Sequence, residues 1–521
     1  MVFRSPYPDV AVPDISLPAF VLAGSEGRAG KPALIDGPSG RTLTYEELAA
    51  GVRGAAAGLA RRGLRKGDVL ALFSPNLPEF PVAFHGTLAA GGVVTTVNSL
   101  NTADEVAKQL RAAGARFLVT VAPFLERALP AAALAGIEEV FVLGEAEGAT
   151  PFASLLEGGG AAPPGVEIDP RQDLAALPFS SGTTGLAKGV MLTHENLVAN
   201  ACQVLALQPM RADDVLAGVL PFFHIYGLTC VLNAALSQGA TLVTLPRFEL
   251  EAFLRLVQDE RVTRAYVVPP VVLALARHPA VTEYDLSSLE LVNSGGAPLD
   301  AALQEACAQR LGCVVAQGYG LTETSPVTHL TSSRPGKTRP GAIGEIAPST
   351  EARVVDVATG AELGPGEDGE ILVRGPQVMK GYLNDPQATA ATVDPGGWLH
   401  TGDIGHADED GYFYVVDRLK ELIKYKGYQV APAELEALLV GHPAVADAAV
   451  VPKPDEEAGE VPKAYVVLRG ETTGEELMAY VAERVAPYKR VREVEVVDEI
   501  PKSPSGKILR RVLVERERAG R

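Results

Sequence analysis

Short apolar runs alternate with helix-like segments from about residue 40 to residue 330, and this alternation constrains the fold more than any other feature. Apolar runs typical of buried strands lie at 68–73, 117–121, 140–143, 241–245, 265–268 and 289–294. Between them, segments such as 249–260 carry the apolar spacing of one helix face. Buried strands that alternate with helices form parallel sheets, so we predict layered α/β subdomains.

The pattern changes near residue 340. The segments GAIGEI, EARVVDV, GEILVRG and GYFYVVD predict short strands between Gly, Asp and Pro turns. A lysine-rich joint, DRLKELIKYKG, then precedes a compact α+β stretch. We therefore predict an α/β chain with three parts: an N-terminal domain at 1–417 whose β-rich subdomain begins at about 340, a hinge at 418–421, and a small mobile α+β C-terminal domain at 422–521.

Composition excludes several classes of protein. A formal net charge of -18 argues against a nucleic-acid binder, which needs a basic face. The four cysteines form no CxxC pair, so a reducing cytoplasm is expected. The first twenty residues carry acids and prolines, and we expect no signal peptide there. The most apolar region, 215–245, is interrupted by polar residues and predicts buried core, so we expect no integral membrane association. We also expect a monomer or homodimer.

The loop SSGTTGLAKG at 180–189 combines glycines, hydroxyls and one lysine, a composition suited to holding phosphate. An NTPase P-loop would need Gly before its lysine and Ser or Thr after it, whereas Lys188 stands between Ala187 and Gly189. A flexible linker is disfavoured because apolar segments flank the loop on both sides. The loop therefore indicates a structured turn that wraps a pyrophosphate.

Further motifs follow in a fixed order: PFFHIYGL, SGGAPL, QGYGLTET, WLHTGD, DRLKELIKYKGYQVAPAELE and PKSPSGKILRR. Together with the loop, they make the whole chain resemble the adenylate-forming superfamily of acyl-CoA synthetases, adenylation domains and firefly luciferase. Within it, the chain is most similar to 4-coumarate–CoA ligases and related acyl-CoA ligases. The resemblance implies two steps, with ATP, Mg²⁺ and CoA: a carboxylate forms an acyl-adenylate and pyrophosphate, and the CoA thiol then displaces AMP.

The resemblance also implies the nucleotide site. The residues expected to contact ATP or AMP are Ser180, Ser181, Gly182, Thr183, Thr184, Lys188, Gly296, Gln317, Gly318, Tyr319, Thr322, Asp403, Arg418, Lys424, Gln429 and Lys507. Among these, the loop residues would hold the leaving phosphates, Thr322 the α-phosphate and Asp403 the ribose hydroxyls. Tyr319 would stack on the base, and Glu323 would bind magnesium, since a hard cation prefers carboxylate oxygen.

Catalytic roles are expected for Lys507, His224, Thr322 and Glu323. The Lys507 ammonium would neutralise charge between the carboxylate and the α-phosphate. His224 would orient the carboxylate without acting as a base, since a carboxylic acid is already ionised at neutral pH. The acyl group is expected to contact His224, Tyr226, Cys230, Gly296, Gly318, Pro326 and Val327. Lys420 resembles the hinge residue, and Arg247, Lys426 and Gly427 resemble CoA contacts.

Departures from the family keep the acid open. Ala187 replaces a frequent Pro, Cys230 a usual Ser and Gly296 a frequent Ala, and the last two changes predict a slightly roomier, less polar acyl pocket. The leading prediction is a cinnamate- or 4-coumarate-like aryl acid, and the alternative is a medium- or long-chain fatty acid. A carrier-protein-loading enzyme is less favoured because the KYKG segment resembles a CoA contact. A luciferase-like monooxygenase would carry nearly identical motifs and is kept as a rival that light emission with a luciferin would reveal. Intact Thr322, Glu323, Asp403 and Lys507 argue against a non-catalytic nucleotide-binding relative.

Overall fold

Four β-sheets organise the chain in the computed structural model. It describes residues 1–521 except 24, 26, 158–164, 181–187, 420, 426–427, 456–457, 486, 503–506 and 520–521, and except the side chains of 418, 428, 429, 518 and 519. Two sheets have nine strands each and two have five, counted over the described residues. The overall class, a mixed α/β chain with a larger N-terminal and a smaller C-terminal part, is confirmed.

At one edge of the first nine-stranded sheet lie the two strands that flank the loop 180–189. Its strands, in spatial order, are Phe179–Ser180, Lys188–Thr193, Leu174–Ala176, Val93–Thr96, Val69–Phe73, Ala115–Val121, Glu139–Leu143 and Thr150–Pro151, with Gly381–Tyr382 paired to Lys188–Thr193. The predicted strands at 68–73, 117–121 and 140–143 lie side by side and parallel, as expected. The two strands that flank the loop are antiparallel, with Ser180 opposite Lys188.

The second nine-stranded sheet forms the floor beneath the candidate site. Its strands, in spatial order, are Glu345–Ile346, Val327–Leu330, Val314–Gly320, Leu291–Ser294, Arg264–Val267, Val215–Gly218, Thr241–Thr244, Pro32–Asp36 and Thr42–Thr44. The predicted strands at 241–245, 265–268 and 289–294 belong to its parallel centre. Because parallel strands end at the same edge of a sheet, the loops that follow them converge there.

Helices connect and pack against the strands throughout the chain. Their bounds are Leu17–Leu22, Tyr45–Arg61, Phe80–Ala89, Ala103–Ala113, Leu125–Ala135, Ala153–Leu156, His194–Leu207, Ala234–Gln238, Leu250–Asp259, Pro269–Arg277, Ala301–Leu311, Pro386–Thr392, Pro432–Gly441, Gly474–Ala482 and Arg510–Ala519, with a π-helix at Gly227–Asn233. The helix predicted at 249–260 is present and buries its apolar face. Within the described residues, no helix has both the length and the apolar character needed to cross a membrane.

A five-stranded antiparallel sheet makes up the β-rich region. Its strands are Phe3–Arg4, Glu351–Val355, Gly369–Arg374, Leu399–Ala407 and Phe413–Arg418. One prediction needs correction: the GAIGEI strand, Glu345–Ile346, joins the second nine-stranded sheet, because it pairs with Val327–Leu330. The first strand of the chain, Phe3–Arg4, takes an edge of the antiparallel sheet instead.

The C-terminal region has its own sheet and core. The strands are Tyr428–Val430, Ile423–Tyr425, Gly459–Leu468 and Val445–Asp455, with Glu493–Val496 paired to Gly459–Leu468. Leu435, Leu439 and Leu477 pack against this sheet from two helices and form a core separate from the N-terminal ones. The preceding antiparallel sheet ends at Arg418 and this one begins at Ile423, a separation that supports the proposed hinge at 418–421, where Lys420 itself lies outside the described residues.

Candidate functional site

One pocket gathers residues from widely separated motifs at the carboxyl edge of the second sheet. It encloses about 540 Å³ of space that is partly open to solvent. The expected site residues that line it are His224, Tyr226, Cys230, Gly296, Gly318, Tyr319, Thr322, Pro326, Val327 and Lys507. The structure therefore brings the predicted acyl contacts together with three of the predicted catalytic side chains.

Glycines shape this pocket by allowing close backbone approach. A Cβ on Gly320 would lie 1.9 Å from the carbonyl oxygen of Pro326, so a side chain there would push apart the two segments that form the turn. A Cβ on Gly295 would lie 3.0 Å from the Tyr226 ring. Gly296 differs: its φ is +83°, and a Cβ would meet nothing nearer than Val268 at 3.8 Å. A methyl group at Gly296 would therefore meet only Val268, and the roomier acyl pocket stays a prediction.

His224 lies in the pocket wall as a neutral imidazole. Burial, together with the nearby Lys507 ammonium, lowers its pKa from 6.5 to about 4. The backbone N–H of Tyr226 donates to Nδ1 of His224 at 3.2 Å, and so the ring proton resides on Nε2. At neutral pH the residue is therefore a hydrogen-bond donor and not a cation.

A buried polar network fixes the apolar end of the pocket. The Tyr226 hydroxyl donates to the carbonyl of Asn293 at 3.1 Å and accepts from Asn293 Nδ2 at 2.8 Å. Gln208 donates to Asn293 Oδ1 at 2.9 Å and accepts from the Tyr266 hydroxyl at 2.9 Å. Because the network satisfies these groups internally, the aromatic rings present a rigid surface to a ligand. Asn293 and Tyr266 line the pocket but were not predicted, since nothing in their local sequence marks them.

Tyr319 connects the pocket to the β-rich region. Its hydroxyl donates to Oδ2 of Asp403 at 2.6 Å. Asp403 is 4% exposed and lies opposite Arg418 in the pairing of two antiparallel strands. The turn before Asp403 is held by Glu370, whose carboxylate accepts from the Gly402 N–H at 3.1 Å. The predicted base-stacking and ribose-binding residues are thus in direct contact.

An aromatic residue that the sequence did not point to, Tyr382, contacts both Lys188 and Glu323. The Tyr382 hydroxyl donates to Oε1 of Glu323 at 2.9 Å, and the Lys188 ammonium lies 5.0 Å from the centroid of the same ring. Burial and the Glu323 carboxylate raise the pKa of Tyr382, which keeps its hydroxyl protonated as a donor. The loop residues Ser181, Gly182, Thr183 and Thr184 lie outside the described residues, whereas Ser180 lies opposite Lys188.

Glu323 is the residue to test as a magnesium ligand. The described residues contain no group of three or more His, Cys, Asp or Glu side chains placed to hold a metal. A single carboxylate, joined through Tyr382 to Lys188, nevertheless fits Mg²⁺, because this ion usually takes one or two carboxylates and completes its shell with water and substrate phosphates.

Lys507 reaches the pocket from the C-terminal region. It lines the same cavity as His224 and Thr322. The following helix is anchored through Arg510, whose guanidinium donates to Glu421 at 2.6 Å and to Glu436 at 2.5 Å. Arg510 thus links the segment that carries Lys507 to Glu421, the last residue of the proposed hinge.

Other predicted residues do not line the pocket. The Gln317 amide is buried and donates to Gln304 at 2.8 Å, which places its side chain behind the pocket wall. Arg247 is 83% exposed and forms an ion pair with Glu249. Lys424 is exposed on its strand, opposite Gln429. Lys426 and Gly427 lie outside the described residues, and the side chains of Arg418 and Gln429 are not described.

Comparison with known proteins agrees with this geometry over the full chain. Residues 23–383 match the family model described as AMP-binding enzyme, and residues 434–507 match its C-terminal domain. The 4-coumarate–CoA ligase 5 of Oryza sativa subsp. japonica is 45% identical over 530 residues, which cover 100% of this chain and 98% of that protein. The 4-coumarate–CoA ligase of Pinus taeda is 45% identical over 98% of this chain and 97% of its own length.

A solved structure shows the same fold. The benzoate CoA ligase from Burkholderia xenovorans LB400 superposes with a TM-score of 0.85 at 28% identity, covering 96% of this chain and 99% of that one. The matched lengths leave no large part of either chain outside the comparison. The chain belongs to the AMP-binding enzyme family and, within it, to the AMP-forming acid–CoA ligases similar to 4-coumarate–CoA ligase.

Proposed function

We propose that this ligase activates a cinnamate-like aryl acid, and that the residues assembled at the pocket perform the first step. The observation that carries the proposal is that Lys507, from the C-terminal region, lines one pocket with His224, Tyr319 and Thr322 from the N-terminal region. A carboxylate bound there faces an ammonium group and a neutral histidine donor. These are the groups needed to orient an anionic nucleophile toward a phosphate.

In the proposed first step, a carboxylate oxygen forms a bond to the α-phosphorus of ATP while the bond from that phosphorus to the bridging oxygen of pyrophosphate breaks. Lys507 neutralises charge between the carboxylate and the phosphate, and Thr322 contacts the α-phosphate. Lys188, at the end of the loop, attracts the departing pyrophosphate. His224 donates through Nε2 and takes no proton, since its pKa lies at about 4.

Glu323 would hold Mg²⁺, which when bound offsets phosphate charge. Tyr319 and Asp403 would receive the adenosine, the ring on the base and the carboxylate on the ribose. The backbone pairing of Arg418 with Asp403 supports a contact of Arg418 with the same ribose or phosphate. These assignments rest on the resemblance, together with the hydrogen bond between Tyr319 and Asp403 and the strand pairing of Asp403 with Arg418.

In the proposed second step, the thiol sulfur of CoA attacks the acyl carbon and AMP leaves. A rotation about Lys420 would withdraw Lys507 and present the face that carries Lys424 and Gln429 to the acyl-adenylate. Arg247, Lys426 and Gly427 would meet CoA. The exposure of Arg247 in the present arrangement is compatible with recruitment of a phosphate-bearing ligand.

The aromatic walls support an aryl acid. Tyr226 and Tyr266 pack edge to face with centroids 6.3 Å apart, and both line the pocket. Flat rings pack well against such surfaces. The matched relatives are themselves ligases of 4-coumarate and benzoate by name.

A medium- or long-chain fatty acid is the second candidate. Cys230 is 1% exposed on the pocket side of the π-helix, and burial raises the pKa of its thiol, so it contributes an apolar surface. With the open space beside Gly296, this makes the acyl end less polar. The four free cysteines are also compatible with the reducing cytoplasm that we propose as the location.

A panel of carboxylic acids tests the substrate. AMP release with CoA present should be fastest with cinnamates and slower with C6 to C16 fatty acids. Faster turnover of a fatty acid would reverse the order of the two candidates. No activity with either set would overturn both.

Replacement of the proposed catalytic lysine tests the mechanism. Lys507→Ala should slow acyl-adenylate formation by about 100-fold or more, because a charge that acts in the transition state is lost. Conversion of supplied acyl-adenylate to thioester should stay within about twofold. Arg511→Ala is the matched control, since it removes an exposed cation from the same segment. An equal loss in both half-reactions would contradict the two-conformation assignment.

A further inference from the structure

Tyr382 stands between the two charged groups at the phosphate end of the site. Its hydroxyl binds the Glu323 carboxylate at 2.9 Å, and its ring face lies 5.0 Å from the Lys188 ammonium. Lys188 and Glu323, both described, are not ion-paired with each other. One side chain thus contacts the residue proposed to attract pyrophosphate and the residue proposed to bind magnesium.

The backbone around Tyr382 fixes it relative to both partners. Strand Gly381–Tyr382 pairs with strand Lys188–Thr193, and the Leu383 N–H donates to the carbonyl of Gly189 at 2.8 Å. On the other side, the Met379 N–H donates to the carbonyl of Glu323 at 2.9 Å. The segment 379–383 is therefore tied to the backbone of each charged residue, and Tyr382 is 8% exposed between them.

This arrangement solves an electrostatic problem. A lysine and a glutamate close together attract each other, and once paired they present little net charge to a ligand. A ligand would then have to break the pair before binding. An aromatic ring attracts an ammonium through its face, whereas a phenolic hydroxyl donates to a carboxylate. Tyr382 therefore gives each group a partner while leaving both charges in place.

We propose that Tyr382 is a positioning residue for the adenylation step, which keeps Lys188 and Glu323 apart and charged so that one receives the pyrophosphate and the other Mg²⁺. The inference rests on the proposed roles of those two residues. It adds a third residue whose action is indirect, since Tyr382 works through its neighbours and not through the substrate.

Two substitutions separate the functions of the ring and the hydroxyl. Tyr382→Phe keeps the ring beneath Lys188 but leaves Glu323 without its donor. Tyr382→Leu removes both and allows Lys188 and Glu323 to pair. Tyr7→Phe is the matched control, because Tyr7 also donates to a glutamate, Glu345, outside the pocket.

Binding should be measured by calorimetry with ATP, once with Mg²⁺ and once with EDTA. We expect Tyr382→Phe to weaken ATP binding about threefold to tenfold with Mg²⁺ and hardly at all with EDTA, since only the carboxylate loses a hydrogen bond. Tyr382→Leu should weaken binding under both conditions, because Lys188 becomes engaged. Tyr7→Phe should change neither value.

Activity supplies a second readout. In ATP–pyrophosphate exchange, Tyr382→Phe should need about threefold to tenfold more Mg²⁺ for half-maximal rate. Thioester formation from supplied acyl-adenylate should remain within about twofold, since pyrophosphate and its metal take no part in that step. An unchanged Mg²⁺ requirement, or equal losses in both half-reactions, would overturn the proposal.

Glu323→Gln distinguishes failure of this inference from failure of the site assignment. If it raises the Mg²⁺ requirement while Tyr382→Phe does not, the role of Tyr382 is wrong and that of Glu323 stands. If Glu323→Gln leaves the requirement unchanged, Glu323 is not the metal ligand and both ideas fall.

Discussion

Tyr7 and Tyr382 each donate to a glutamate and each lie beside a lysine ammonium, yet the two groups differ in one contact. At Tyr7, the Lys337 ammonium is 5.8 Å from the ring centroid and also 3.1 Å from Oε1 of Glu345, so the group closes into an ion pair. At Tyr382, Lys188 contacts the ring, and no ion pair joins it to Glu323 among the described residues.

The difference follows from what each group holds. The closed group, Tyr7, Lys337 and Glu345, ties the N-terminal segment to Glu345, which is 2% exposed. A buried carboxylate is stable only when its charge is compensated. The open group, Tyr382, Lys188 and Glu323, lies where a phosphate and a cation are proposed to bind. Under the proposal, those ligands would compensate its charges, which are not paired with each other. The same three residue types therefore stabilise the fold at Tyr7 and are proposed to bind ligands at Tyr382.

Loss of the glutamates gives the largest expected contrast. Glu323→Gln should lower ATP–pyrophosphate exchange about 100-fold, because a neutral amide is a poor magnesium ligand. Glu345→Gln should leave exchange within about twofold but destabilise the fold by about 1–3 kcal/mol in urea unfolding, since Lys337 and Tyr7 lose an ionised acceptor. Similar losses of exchange in both variants would remove the distinction between the groups.

Replacing the lysine of each group should show the same contrast between activity and stability, with smaller changes than replacing the glutamate. Lys188→Met should raise KM for ATP and slow exchange by about tenfold, since the leaving pyrophosphate loses a positive partner. Lys337→Met should leave the kinetics unchanged and destabilise the fold by about 1 kcal/mol, because the lysine is 39% exposed and solvent weakens its ion pair. Steady-state kinetics and urea unfolding on both variants check this. A kinetic defect in Lys337→Met would contradict it.

The sequence predicted the parallel strands well, because continuous apolar runs such as 68–73 and 241–245 are long enough to report burial on both faces. It assigned Glu345–Ile346 to the wrong sheet, since a strand of two residues carries no information about its partner. Gly381–Tyr382 was missed for the same reason.

The residues of the site also separate into those that the sequence predicted and those that it did not. Motif residues such as His224, Tyr319 and Lys507 could be named because their neighbours in the chain identify them. Tyr382 could not, because its partner Glu323 is 59 residues away and the contact exists only once two sheets have been assembled. Gln317 stays a prediction: its motif pointed to the nucleotide, and its buried side-chain amide donates to Gln304.

The smallest expected effect concerns pH, and it removes a competing explanation for defects at the open group. A histidine in the pocket that titrated near neutrality would change the activity near pH 7. Such a change would resemble the loss of activity expected from a weakened Lys188–Glu323 arrangement. The pKa of His224 is about 4, so its charge should alter ATP–pyrophosphate exchange less than about twofold between pH 6 and pH 8. A break in the profile near pH 6.5 that disappears in His224→Gln would contradict this.

Acid should affect folding before it affects this step. The unfolded chain binds a proton at each histidine near pH 6.5, whereas burial lowers the pKa of His224 and of His194 to about 4 in the folded state. Stability from these residues is thus fully present above about pH 6.5 and is lost as the pH falls toward 4. Urea unfolding at stepped pH should show this decline, and His194→Gln, which lies outside the pocket, should reduce its slope without changing exchange at pH 7. An unchanged slope in His194→Gln would contradict a contribution from His194 and would assign the acid response to the other buried histidines, such as His85 and His329 with pKa values of about 3, or to carboxylates.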